Sequence, residues 1–141
     1  MAYLKGNAKI RAVIGRSKST KEPEIYAGKV PQGVTYPFAA VTWFEDDGSQ
    51  HMTGAGASIK ARLQLDVYAK SPDDRVAVSA AFRRALDGVI QKTFGDTSFS
   101  SIFLKGKTDG EEDPIDGSEK DDYRRTMFFD VWYKRDVSTY L

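Results

Sequence analysis

The residues of this chain that could do chemistry are few and scattered. The one imidazole, His51, lies in a polar, glycine-containing stretch at 45–57 (EDDGSQHMTGAGA). Zinc would need further ligands at helical or turn spacing, and a hydrolase triad would need one serine marked out from the rest; neither accompanies His51, which reads as an exposed loop residue. Cysteine is absent, which excludes disulfides, thiolate catalysis and cysteine-ligated zinc and fits a reducing compartment. The run Asp109-Gly110-Glu111-Glu112-Asp113-Pro114-Ile115-Asp116-Gly117 offers carboxylates to a hard cation, but its spacing is not that of an EF-hand loop. Gly54-Ala55-Gly56 is followed by a strand pattern, whereas a phosphate-cradling loop opens a helix. With 20 acidic residues some carboxylates must pair by chance, and no pair stands out for acid/base work. No catalytic, cofactor-binding or metal residue is expected, and the chain reads as a non-enzyme.

The elements that would position a site are clearer. From Ser58 to Lys70 the even positions are polar or amphipathic and Ile59, Ala61, Leu63, Leu65, Val67 and Ala69 are apolar, the alternation of a strand with one dry face. Ser71 can then cap a helix, Pro72 suits its first position, and Asp73 and Asp74 favour the positive end of its dipole. Val78, Phe82, Ala85, Leu86 and Val89 form an apolar stripe able to cover the strand's dry face. The opposite face is left for water or for another subunit.

Elsewhere, residues 3–14 can form a first helix on Leu4, Ala8, Ile10, Val13 and Ile14, with Gly15 as its C-terminal cap. A short strand at Ile25-Tyr26 ends at Gly28, and the run Phe38 to Phe44 is a strand with Pro37 at its start. Residues 45–57 then read as the tip of a long hairpin between the second and third strands. Residues 94–98 read as loop, Ile102 to Leu104 as a short strand, and the acidic segment 109–122 as its connection to the last strand. In that last strand Arg125, Met127, Phe129, Val131 and Tyr133 share one face, and Arg124, Thr126, Phe128, Asp130, Trp132 and Lys134 the other. Phe128 and Trp132 on the second face would be poorly solvated in a lone subunit. The expected fold is one α+β domain over residues 1–141, with a mainly antiparallel sheet and helices packed on one face.

At 141 residues a single core can bury roughly two-thirds of the unfolded surface. No run approaches a membrane span, and Lys5, Lys9 and Arg11 stand where a signal peptide would be apolar, so neither anchor nor leader is expected. The net charge of +1 argues against a dedicated nucleic-acid binder. Its distribution is uneven, however. Residues 1–21 carry Lys5, Lys9, Arg11, Arg16, Lys18 and Lys21 and no acid, while residues 109–122 carry eight acids and Lys120 as their one base. Two solvated segments are the simpler reading. Complementary surfaces on neighbouring copies, with Lys5, Lys9, Arg11 and Arg16 facing Glu111, Glu112 and Asp113, are the sharper one.

Several segments together resemble one family. Ile25-Tyr26-Ala27-Gly28, Val30-Pro31-Gln32-Gly33, Tyr36-Pro37-Phe38, the strand Ala61 to Ala69, Ala85-Leu86-Asp87-Gly88 and Phe129-Asp130-Val131-Trp132-Tyr133 occur in an order and spacing similar to the tail completion (tail terminator, head-tail joining) proteins of long-tailed bacteriophages. The resemblance covers roughly residues 3–135, and the acidic insertion departs from it. It implies a virion protein, made in the host cytoplasm, that assembles as a ring of typically six copies at the head-proximal end of the tail. There it would end tube polymerisation, meet the tail-tube protein on one side and a head-completion or connector protein on the other, and let DNA through its lumen without sequence-specific binding.

Within that expectation Glu45, Asp46, Asp47, His51 and Met52 of the hairpin would contact a neighbouring subunit or the tube, with Phe128 and Trp132 in or near an interface. Two alternatives stand beside it. One is a tail-tube or other neck ring protein, which would stack in many rings. The other is a DNA-binding module using the basic N-terminal segment, with steep salt dependence.

Overall fold

The computed structural model describes residues 2–45, 58–94, 97–112 and 122–134. In chain order these form α1 (Ala2–Gly6), α2 (Ala8–Val13), β1 (Ile25–Ala27), β2 (Phe38–Glu45), β3 (Ser58–Ala69), α3 (Pro72–Leu86), β4 (Val89–Phe94), β5 (Thr97–Glu112) and β6 (Asp122–Lys134). The six strands make one sheet in the order β1-β2-β3-β6-β5-β4. The β1–β2 pair is parallel and every other pair antiparallel, so the sheet is mixed and the fold α+β.

The alternation of β3 survives intact: Ala61, Leu63, Leu65, Val67 and Ala69 are buried, and each even residue between Lys60 and Lys70 is more exposed. Antiparallel register sets Leu63 beside Phe129, Leu65 beside Met127 and Ala61 beside Val131, so the apolar faces of β3 and β6 form one surface. Val78, Ala81, Phe82, Ala85 and Leu86 of α3 join it in a single core with Ile10, Ile14 and Ile25. Helix α3 starts as its sequence dictates, with Ser71 Oγ accepting from the Asp74 amide at 3.2 Å and Pro72 in its first turn. Burying Phe82 alone stabilises the fold by about 3 kcal/mol.

Four expectations change. The N-terminal helix is broken at Asn7, whose extended backbone and side-chain oxygen cap α2 by accepting from the Lys9 and Ile10 amides at 3.0 and 3.1 Å. An asparagine competes for backbone amides and so divides what apolar spacing alone would join. Gly15 is not a left-handed cap; Ile14 ends the helix in extended conformation. Gly15 marks a close backbone crossing, where its amide donates to the Pro37 carbonyl at 2.7 Å and its carbonyl accepts from the Glu24 amide at 2.9 Å.

Val89 does not extend the helical stripe. Gly88, at φ 82°, turns the chain and Val89 opens β4. Finally, β5 is a 16-residue strand that takes in both the expected loop around residue 98 and the start of the acidic segment, from Asp109 to Glu112. Asp109 to Glu112 pair with Arg125 to Asp122. The 46–57 tip of the expected hairpin lies outside the described residues.

Two polar clusters pin the ends of strands. Asp122, fully buried, accepts from Lys70 Nζ at 2.7 Å and from the Tyr36 hydroxyl at 2.8 Å, tying the start of β6 to the end of β3 and to the turn before β2. The Tyr26 hydroxyl donates to the carboxylate of buried Glu24. Burial, reinforced by that anion, pushes the Tyr26 phenol up to about 12.

Candidate functional site

Pairing in the sheet fixes what its second face presents. One row across that face runs Phe44, Arg62, Asp130 and Phe103, and the next runs Lys60, Trp132, Ser101 and Ile90. A third places Thr42, Gln64 and Phe128 together. Phe44, Phe103 and Ile90 are 49%, 47% and 63% exposed, and Phe128 and Trp132 are half-buried. Apolar side chains from four strands thus share a surface opposite the core.

The two rings singled out in β6 are less bare than their sequence suggests. Lys60 Nζ stands 5.7 Å from the Trp132 ring centre and the Arg62 guanidinium 5.9 Å from that of Phe128. A cation over an aromatic face is attracted by its quadrupole, and its alkyl stem shields the ring from water. Lys60 and Arg62, which the alternation required only to be polar, thus each lie near a ring of β6.

Phe44, Lys60, Arg62, Gln64, Phe128 and Asp130 line an open groove of about 520 Å³ on this face. Asp130 is half-buried among them. Its Oδ2 faces Lys105 Nζ at 3.8 Å, while Oδ1 is buried and has no hydrogen-bond partner among the described residues. Towards the other end of the sheet the same face is satisfied internally: Asp66 accepts from Thr126 Oγ1 and, at 3.0 Å, from Gln64 Nε2. Asp130 Oδ1, in the groove lining, is thus one of the buried side-chain atoms without a hydrogen-bond partner among the described residues. Aromatic rings and cations ranged side by side across adjacent strands are the composition of a macromolecular contact.

The remaining expected residues are dispersed. Glu45 closes β2, while Asp46, Asp47, His51, Met52 and Asp113 lie outside the described residues. Lys9 is exposed on α2 and Lys5 half-buried at the end of α1. Arg11 donates to the Lys5 carbonyl at 3.1 Å and Arg16 to the Arg11 carbonyl at 3.5 Å, so both guanidinium groups serve carbonyls of the helical N-terminal segment. Glu111 is exposed near the end of β5, with Glu112 its last residue.

Sequence reading missed Phe44, Arg62, Phe103 and Asp130 as neighbours. Each lies on a different strand, and only the register brings them together. The alternation of each strand was the available signal, but it does not say which strands are adjacent. Among the described residues no group of three or more His, Asp or Glu side chains is placed to hold a metal ion, and no helix is long and apolar enough to cross a membrane.

Comparison with known proteins bears on the whole chain. Curated proteins give no match to the sequence. Among solved structures, a chain described as "Virion of native gene transfer agent (GTA) particle" superposes with a TM-score of 0.63 at 16% identity, over 94% of this chain and 89% of that one. At that identity the likeness is one of fold. The family described as "Tail completion protein gp17" matches residues 1–133, a span that includes every element of the sheet except the last residue of β6, and the chain accordingly belongs to that tail completion family.

Proposed function

We propose that this protein is a structural component of a phage-like virion that assembles as a ring, of six copies, at the head-proximal end of the tail. It ends polymerisation of the tail tube, provides the surface on which the head docks, and leaves a lumen for DNA. Assembly takes place in the host cytoplasm. Its work is done by surfaces, without a cofactor or a catalytic group.

Family membership supports the setting. The observation that carries the assembly role is the second face of the sheet, where Phe44, Phe103 and Ile90 stand exposed beside half-buried Phe128 and Trp132. A subunit that closes a ring must present two unlike surfaces, each complementary to the other. An aromatic, cation-fringed face opposite the core supplies one of them, since aromatic and arginine side chains dominate interface energetics. The connection at 46–57, with Asp46, Asp47, His51 and Met52, reaches a neighbouring subunit or the tube protein in this reading.

The test is imaging of the purified protein with tail tubes that lack their end structure. Rings at one end of each tube, together with joining of filled heads to those tubes, are the expected result. Long tubes built from this protein alone would replace the reading with that of a tube protein. Salt-sensitive binding to duplex DNA without any effect on tubes would replace it with that of a DNA-binding module.

A further inference from the structure

The geometry points to a contact between copies in the plane of the sheet, within the ring proposed above, on which this inference rests: β1 of one copy adds as a strand to the open edge of β5 in the next. Each edge of the sheet is stepped. At one edge β4 pairs with β5 only from Thr97 to Ile102, and among the described residues no strand pairs with the outer side of β5 beyond that point. At the other edge β1 pairs with β2 only from Ala39 to Val41. The two steps are complementary. Followed across the sheet, the row of Ile25 runs through Ala39, Val67 and Arg125 to Asp109. That of Ala27 runs through Val41, Leu65 and Met127 to Lys107. A copy set beside another at the same level therefore places its β1 against the uncovered, exposed stretch from Lys107 to Asp109.

Direction and hydrogen-bond parity both fit. β1 runs with β2 and against β5, so the added strand is antiparallel. The Val41 carbonyl accepts from the Gly28 amide at 3.1 Å, which turns Val41 toward β1. Alternation across the antiparallel ladders then bonds Leu65 to Met127 and turns the backbone of Lys107 outward, with that of Asp109 two residues on. The Leu104 amide is held by Asp87 Oδ1 at 2.9 Å, so the open stretch begins beyond it. On β1 the Glu24 carbonyl and the Gly28 amide bond to β2, which leaves Ile25 and Ala27 facing out. The Ile25 amide is taken by the Pro23 carbonyl at 2.9 Å. Across the seam Ala27 and Lys107 would exchange two bonds, and the Asp109 amide would donate to the Ile25 carbonyl. Ile25, Tyr26 and Ala27 bring no charge to oppose that of Lys107 or Asp109. The seam also continues the aromatic face, because Phe44 and Phe103 end one row of it. Phe103 of one copy and Phe44 of the next then stand two strand spacings apart, about 10 Å. Unlike edges joined in this way make the heterologous contact that closes a ring, whereas two β5 edges joined about a two-fold axis would stop at a dimer.

Because the chain has no cysteine, cross-linking reads the register directly. Within one copy Ala27 and Lys107 lie four strand spacings apart, about 19 Å and beyond the reach of a disulfide. Across the seam they form a bonded pair about 5.5 Å apart. The double variant Ala27→Cys/Lys107→Cys, oxidised with glutathione disulfide during assembly on tail tubes, is expected to give a covalent ladder that extends past dimers. Each single variant alone is expected to stay monomeric on denaturing gels, and the two mixed to give dimers and nothing larger. Lys107→Pro removes an outward amide without breaking the ladder to β6. It is expected to keep its fold by circular dichroism and to lose about tenfold or more in apparent affinity for assembly on tubes. Thr108→Pro, whose amide faces β6, is expected to lower the thermal midpoint instead. If Lys107→Pro unfolds, the cross-link decides. A double variant that links no faster than the single ones, or a folded Lys107→Pro that assembles like the wild type, overturns the contact while leaving the ring reading in place. Dimers from Lys107→Cys alone would give this edge to a two-fold pair of β5 strands and also overturn it. A wild type that forms no ring on tubes removes the ring reading itself and this contact with it.

Discussion

Arg125 grips Asp109 through two parallel bonds, Nε to Oδ1 at 2.7 Å and Nη2 to Oδ2 at 3.0 Å, with Arg75 of α3 a further 3.8 Å from Oδ2. The pair turns the first acid of the acidic segment into a strand-to-strand clamp, so that part of the segment is structural. The bond from Arg125 holds the Asp109 carboxyl below its usual range, and Asp109 in turn raises Arg125. A carboxylate whose folded pKa is depressed stabilises the fold above its unfolded value, and that contribution disappears as pH falls through the folded one.

Asp109→Asn should therefore lower the urea midpoint by a constant amount above about pH 5 and by progressively less below about pH 4. The Asp109 side chain is 41% exposed, and solvent screening keeps the effect to about 1 kcal/mol or less. A difference from wild type that persists at pH 2 would mean that the substitution acts by some route other than charge.

Asp122→Ala should be far more costly, because it leaves the Lys70 ammonium and the Tyr36 hydroxyl facing the space of a fully buried carboxylate. A loss of about 3 kcal/mol in denaturant unfolding is expected, in line with removal of one partner from a buried pair. A loss no larger than that of Asp109→Asn would show that this end of the sheet relaxes without it.

Gly15→Ala should destabilise by about 1 to 3 kcal/mol through overpacking. A Cβ at this position would collide with the Thr35 carbonyl oxygen and stand 2.8 Å from that of Pro37, both backbone atoms with little freedom to yield. Gly6→Ala is the control, since nothing lies within 4 Å of a Cβ there. Equal thermal midpoints for the two variants would refute the crossing as the reason for glycine.

Trp132→Ala and Phe129→Ala should separate assembly from folding, although the residues are three apart on one strand. Phe129 is fully buried in the core, and its truncation should cost about 3 to 5 kcal/mol. Trp132 is half-buried beneath Lys60, so its loss should cost about 1 to 2 kcal/mol while abolishing assembly on tail tubes. Unfolding of the Trp132 variant would place that ring in the core and remove it from any interface.

What could be read from the chain in advance follows from the range of the forces involved. Strand β3, the Ser71 cap, Pro72 in the first turn and the buried stripe of α3 all follow from contacts within a few residues, so spacing and residue type determined them. The break at Asn7 was equally local. It went unseen because apolar periodicity at Leu4, Ile10 and Ile14 carried straight through it.

Strand β5 was hidden for a different reason. Beyond Ile102 it pairs with β6 alone, since β4 covers only the stretch from Thr97 to Ile102. A strand with one open edge can be polar, and Lys105, Lys107, Thr108 and the following acids have the composition of a loop. The alternation of β3 and β6 determined that each strand has two unlike faces. Only tertiary structure decided that Phe44, Arg62, Asp130 and Phe103 share one row, because cross-strand register is set by the packing of distant segments and no single stretch of sequence records it.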